Sequence, residues 1–292
     1  MVFVLITGIS SWQQIVASDE QSLFWSIESD NGHAGFLLGT IHSEDPRVLE
    51  FTEEFLAALN GSAYFAMELV PNLPTLARLA EAMHLREGIE LASIIGDERF
   101  AAVSQALSGY GVPASQVSRM KPWAAMITLS VPVPETGFFM DFSLSLRASG
   151  NGLEVIGLET LDEQLHFIEN MPLEHMLTML DQAVLEIDNV QEIHDQMVTT
   201  YLTQDLSKLS DDTDAQLYEL GEDARDYFIA EGITARNHRM LAALLTALES
   251  GTVFTAVGAL HLPGEDGLIN LLRNNGYELS ARPLPFPQQR DP

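Results

Sequence analysis

The sequence predicts an α/β fold: a mixed, partly parallel central sheet covered by helices, with a large helical insertion. Three observations carry this. Short apolar runs that carry a polar residue at or next to their end recur along the chain, as GFLLGTIH, AYFAMEL, EVIGLE and TVFTAVGALH. Helical periodicity separates these runs, and strands that alternate with helices pair in parallel under a helical cover. From about Leu161 to Glu249 the helical pattern continues with no strand between.

Taken in order, LFWSIES and HAGFLLGTI flank Asp30-Asn31-Gly32. Asn-Gly supplies the positive φ of a tight turn, so this is a β-hairpin. PRVLEFTEEFLAALNG then reads as one helix, with Pro46 at its start, Val48, Phe51, Phe55 and Leu59 on one face, and Gly61 as its stop. AYFAMEL is a short buried strand. Two or three helices follow between Leu73 and Leu107, broken near Gly88 and Gly96. KPWAAMITL is helical, with Pro122 at the start and Trp123 packed. VPVPETG is a loop, and DFSLSLRASGNG is a helix closed by Gly150 and Gly152. EVIGLE is the next strand. The long helical stretch after it carries acidic interruptions at Asp211-Asp212 and Glu222-Asp223. TVFTAVGALHL is a strand, EDGLINLLRNNG a helix with Gly276 at its end, and YELSARPL a last strand. Residues 21–287 therefore read as one domain with helical insertions at about 71–150 and 161–249.

Composition narrows the function classes. At 292 residues with 46% apolar content the chain can bury a large core. No run of roughly twenty apolar residues is present, so no transmembrane segment is expected. With 14 basic and 42 acidic residues the formal charge is −28. A field of that sign repels phosphates, and no nucleic-acid partner is expected. The absence of cysteine removes disulfides, thiolate metal sites and a cysteine nucleophile. Residues 1–20 have an apolar stretch and a small-residue site near Ala17, as an export signal has. No Lys or Arg precedes Arg47, however, so the positive n-region is missing. Signal or plain N-terminal extension, and periplasmic, secreted or cytoplasmic location, all stay open.

The strand ends carry the chemistry. They place His42, Glu68, Glu159 and His261 at the carboxyl ends of four buried runs. Open α/β sheets bind ligands in the crevice at those ends. One histidine or one glutamate at a strand end is ordinarily a structural residue. Four such endings on neighbouring parallel strands would converge, and two imidazoles with two carboxylates suit a divalent ion such as Zn, Mn, Co or Fe. Gly39 and Gly258 each precede a histidine by three residues, keeping the backbone slim where a neighbour must approach. The helical histidines His84, His166, His175, His194 and His238 have no partner at ligand spacing and read as surface or core. There is no P-loop, no GxGxxG, no GxSxG elbow and no HExxH.

In order along the chain, LLGTIH, AMEL, KPW, DFSLSLRASGNGLEVIGLETLDEQL, ARNHRM and VGALHLPGEDGLINLLRNNGYEL resemble the TraB/GumN family, which is related to the Tiki proteins. The resemblance runs from about Leu23 to Leu284. It implies the fold of erythromycin-esterase-like and ChaN-like proteins and a divalent-metal protease acting on a peptide or protein substrate. The family's Gly-x-x-His histidines fall on His42 and His261 as metal ligands, its acidic positions on Glu68 and Glu159, and its Arg-Asn pair on Arg236 and Asn237. Glu68 is then a ligand or a general base, and Glu159 takes the other role. Arg236 would stabilise an oxyanion, with a structural salt bridge as the plain alternative. Asn237 would orient substrate or a ligand. A ChaN-like, non-catalytic capture of metal or haem is the competing function. The oligomeric state is not legible.

Overall fold

The strands β1 (Phe24–Glu28), β2 (Ala34–Thr40), β3 (Tyr64–Met67), β4 (Glu154–Gly157), β5 (Val253–Gly258) and β6 (Glu278–Ala281) form one sheet in the order β4-β3-β5-β2-β1-β6. The computed structural model describes residues 22–287 apart from Asn31, His33 and Leu284. The reading of residues 1–20 therefore lies outside the described residues. β4, β3, β5 and β2 pair in parallel, while β1 runs antiparallel to both β2 and β6. The mixed, partly parallel α/β sheet is thus what the alternation of strand and helix predicted. The hairpin is also present, with Gly32 at φ 78°.

Burial explains the strand order. Every residue from Val253 to Val257 is buried, so β5 is covered on both faces, as a central parallel strand must be, with Thr255 its one polar side chain there. Phe254 packs its ring against Phe24, Phe36, Phe55 and Phe65, tying β5 to β1, β2, β3 and the helix Glu53–Asn60. A fully buried side chain of this size contributes about 1.5–3 kcal/mol.

The helices fall into two packed groups. Met140 and Leu144, Val198 and Leu206, and Met240 and Leu244 join the sheet's core. A second cluster joins Leu91, Val103, Trp123, Met126, Met176 and Leu180, so parts of the two insertions pack on each other.

Three sequence expectations are corrected in detail. The stretch from Pro46 to Gly61 is two helices, Pro46–Leu49 and Glu53–Asn60, because Glu50 is extended and the Thr52 side chain caps the second through the amide of Phe55. Asp211 and Asp212 interrupt nothing; they lie inside the helix Leu206–Glu219, where Asp212 pairs with Lys208 one turn back. The break falls earlier, at Gln204 with φ 63°. Finally, β5 ends at Gly258, and Ala259–His261 form a 3-10 turn beyond it. His261 is held by that turn and not by the strand.

Candidate active site

The four parallel neighbours deliver their polar residues to one rim of the sheet. Glu68 follows β3 directly, Glu159 lies two residues beyond β4, His261 is in the turn after β5, and His42 lies two residues beyond β2. Arg236 and Asn237 come from the first turn of the helix Ala235–Ser250, which continues a π-helical segment, Phe228–Thr234. Gly232 lets that segment lie on Phe167, since a Cβ there would stand 3.0 Å from the ring. Irregular helical turns of this kind are frequent next to functional sites.

Arg236 is the hub. Its Nε donates to both oxygens of Glu159 at 3.1 and 3.0 Å, and its Nη2 to Glu159 Oε2 at 2.6 Å and Glu68 Oε2 at 2.5 Å. The Glu159 side chain has no exposed surface. Burial works against the Arg236 charge, but the two carboxylates outweigh it and hold the guanidinium protonated. The Gln164 amide nitrogen lies 3.4 Å from Glu159 Oε2 and 3.5 Å from Glu68 Oε2. Such a triad is stable only while every charge keeps its partner.

Glu68 Oε1 accepts from the Gly258 amide at 2.8 Å. A Cβ on Gly258 would lie 3.2 Å from that same oxygen, and one on Gly39 only 2.9 Å from Leu262 Cδ2 and 3.0 Å from Ala259 Cα. Both glycines of the Gly-x-x-His segments thus permit close approach. Burial opposes ionisation of Glu68, yet the charge that His261 carries when protonated, Arg236 and the Gly258 amide hold its carboxyl below the ordinary range.

His261 is buried, and burial is the main reason its pKa falls to about 4, with Glu68 opposing and Arg236 adding. Its tautomer follows from Asn237. The Asn237 amide nitrogen donates to the carbonyls of Asp266 (2.7 Å) and His261 (3.3 Å), so its oxygen accepts from His261 Nδ1 at 2.6 Å. With the proton on Nδ1, Nε2 carries a bare lone pair. That atom lies 3.8 Å from Glu68 Oε1. Two Lewis bases therefore look at each other across a gap with no proton between them.

His42 stands apart from this network. Its ring stacks on Phe139 with centroids 3.9 Å apart, and it keeps an exposed face. Loss of solvent around the ring lowers its pKa, His194 lowers it further, and the Glu68 charge opposes. It is within electrostatic reach of Glu68 but shares no hydrogen bond with it. Among the described residues, no three His, Asp or Glu side chains stand together at ligand spacing. A ready-made ligand triad is thus absent from the described residues. The residues fit a divalent ion in donor chemistry: metal-ligating histidines usually have the far ring N–H fixed by an oxygen acceptor, and here Asn237 Oδ1 plays that part for His261.

Several neighbours gave little signal in the sequence. Gln164 sits in the helix Leu161–Glu169, whose Thr160–Glu163 capping box was readable and fixes the turn after Glu159. His194, read as surface or core, comes from the distant helix Val190–Leu202 and acts electrostatically on His42. Asp141 accepts a hydrogen bond from the Thr40 hydroxyl; burial raises its pKa to about 6, Thr40 opposes and Glu68 adds. Tyr201 donates to the carbonyl of Gly39 at 2.7 Å.

The TraB/PrgY/gumN family model matches residues 23–281. The chain belongs to that family. Its relatives include Metalloprotease TIKI1 of Danio rerio, 24% identical over 94% of this chain and 65% of the relative. Metalloprotease TIKI2 of Xenopus tropicalis is 23% identical over 91% of the chain and 60% of its own length. Metalloprotease TIKI1 of Homo sapiens is 22% identical over 92% and 64%. The chain thus spans less than two thirds of the length of these relatives. No solved structure matches it. No helix of the TraB/PrgY/gumN chain is long and apolar enough to cross a membrane among the described residues.

Proposed function

We propose that this TraB/PrgY/gumN protein is a metal-dependent hydrolase that cuts peptide bonds in a peptide or protein substrate. One observation carries the reading: the bare Nε2 of His261 and the ionised Oε1 of Glu68 face each other at 3.8 Å, an arrangement that a divalent cation would resolve. His261 and Glu68 would hold the ion, with His42 as third ligand. Zn, Mn and Co all suit this donor set. Bound there, the ion supplies a Lewis acid that polarises a carbonyl and acidifies water. The metalloprotease names of the relatives support the same reading.

The chain's own residues then divide the work. Glu68 is the partly exposed carboxylate of the network, so it is the one that can hold the ion, with Arg236 and the Gly258 amide orienting it. Glu159 is wholly enclosed and committed to Arg236, so it positions that residue and is not itself the base. The Nε and Nη2 of Arg236 are on carboxylates, so a contact to a developing oxyanion would have to come from Nη1. Asn237 fixes the His261 tautomer.

Cleavage of a fluorogenic peptide library tests this. Wild type should cleave with added Zn, Mn or Co, lose the activity to a chelator, and regain it on metal return, while His261→Ala stays inactive throughout. Cleavage that persists through exhaustive chelation would remove the metal from the reaction.

A further inference from the structure

Beside the site lies a groove that the chemistry above does not use. It encloses about 1050 Å³, at the top of the roughly 300–1,000 Å³ range of ligand pockets. Four helices build it: Pro122–Leu129, Leu173–Leu185, Val190–Leu202 and Leu206–Glu219. Met126, Met179, Ile193, Met197 and Leu209 give it an apolar lining. Methionine is adaptable and polarisable and suits surfaces that accept varied apolar side chains.

Its charge is one-sided. Glu186, Glu192, Asp195, Asp212 and Glu219 line it, and Lys208 is already paired with Asp212 at 2.7 Å. Three of these carboxylates are bonded to neutral amides: Glu186 to Gln182 at 2.6 Å, Glu192 to Gln196 at 3.4 Å and Asp195 to Gln191 at 2.9 Å. Those partners supply donors but no charge. Asp195 also feels Arg47, whose guanidinium is taken by Asp45. A cleft lined by one sign of charge over apolar walls concentrates oppositely charged ligands.

Two of the groove's helices also touch the candidate site: Tyr201 of Val190–Leu202 donates to the Gly39 carbonyl at 2.7 Å, and Leu206–Glu219 packs against the Ala259–His261 turn. His194 lines it and also acts on His42 and Asp45. The helix Val190–Leu202 therefore walls the groove and, through Tyr201, meets the end of β2.

We infer that this groove is the substrate-binding cleft, and that it takes an extended peptide combining apolar with Lys or Arg side chains, feeding it past His194 toward His42. The inference rests on the peptidase reading and adds the substrate class.

Fluorescence anisotropy tests it without requiring turnover. Three labelled peptides of equal length, alternating Leu/Lys, Ser/Lys and Leu/Glu, are titrated into wild type and into the cleavage-null His261→Ala. The Leu/Lys peptide should bind both proteins about tenfold or more tighter than either control. Glu186→Lys with Glu192→Lys should weaken it by about tenfold, whereas Glu28→Lys with Glu278→Lys, paired across β1 and β6 away from the groove, should change it less than about twofold. Equal weakening by both charge pairs, or equal binding of the Leu/Glu peptide, overturns the groove. Cleavage of peptides without this selectivity would sink the groove alone. Selective binding with no cleavage of any peptide would sink the hydrolase and leave the groove as a peptide-binding site.

Discussion

At the scale of single residues, the site is held by charges that cannot be removed singly. Arg236→Ala would leave Glu68 without its guanidinium and Glu159 with only the longer Arg239 contact at 3.9 Å, and loss of one member of a buried ionic group costs about 3–5 kcal/mol. Urea midpoints should show that loss, and Arg236→Lys should recover only part of it, because an ammonium cannot span both carboxylates as the fork does. Combining Arg236→Met with Glu68→Gln and Glu159→Gln should restore most of the stability. An unchanged midpoint in Arg236→Ala would mean the network is ornamental. Asp141 gives a pH-dependent counterpart. Its folded pKa of about 6 lies above the ordinary 3.8, so the stability it contributes is full below about 3.8 and is lost as pH rises through 6. Asp141→Asn, which keeps an acceptor for the Thr40 hydroxyl, should therefore gain on wild type between pH 4 and 7. The gain is at most about 3 kcal/mol. A difference that stays flat across that range would contradict the buried, protonated state.

At the scale of elements, the site depends on how closely the ends of β2 and β5 pass. Gly39→Ala would put a Cβ 3.0 Å from the backbone of Ala259. The turn carrying His261 must then shift, at a cost of about 1–3 kcal/mol. Melting temperature should drop and metal uptake weaken together; a drop in stability with metal uptake intact would show that the close approach serves packing alone. These glycines were legible because each stands three residues before a histidine that ends an apolar run. The 3-10 turn was not, since Ala259 and Leu260 extend the apolar pattern of β5 and look like more strand. The split of the helix near Glu50 was hidden for a similar reason: Phe51 and Phe55 keep helical spacing across it, and only the Thr52 cap ends the register.

At the scale of the whole molecule, the sheet order explains why widely separated residues meet. Placing β5 between β3 and β2 brings Glu68, His261 and the end of β2 to adjacent positions, although 193 residues separate the first two in sequence. Strand ends and family blocks made that convergence readable. The groove and His194 were not readable, because the faces of four helices meet there and no single segment carries a pattern of its own. In the proposed site, His261 and Glu68, joined by His42, would hold one divalent ion. Calorimetric titration of Zn, Mn and Co into chelator-treated wild type, His42→Ala, His261→Ala and Glu68→Gln tests it most directly. One ion per wild-type chain, with affinity lost in His261→Ala and Glu68→Gln and at least weakened in His42→Ala, is the expected result. The same stoichiometry and affinity in all four proteins would contradict it.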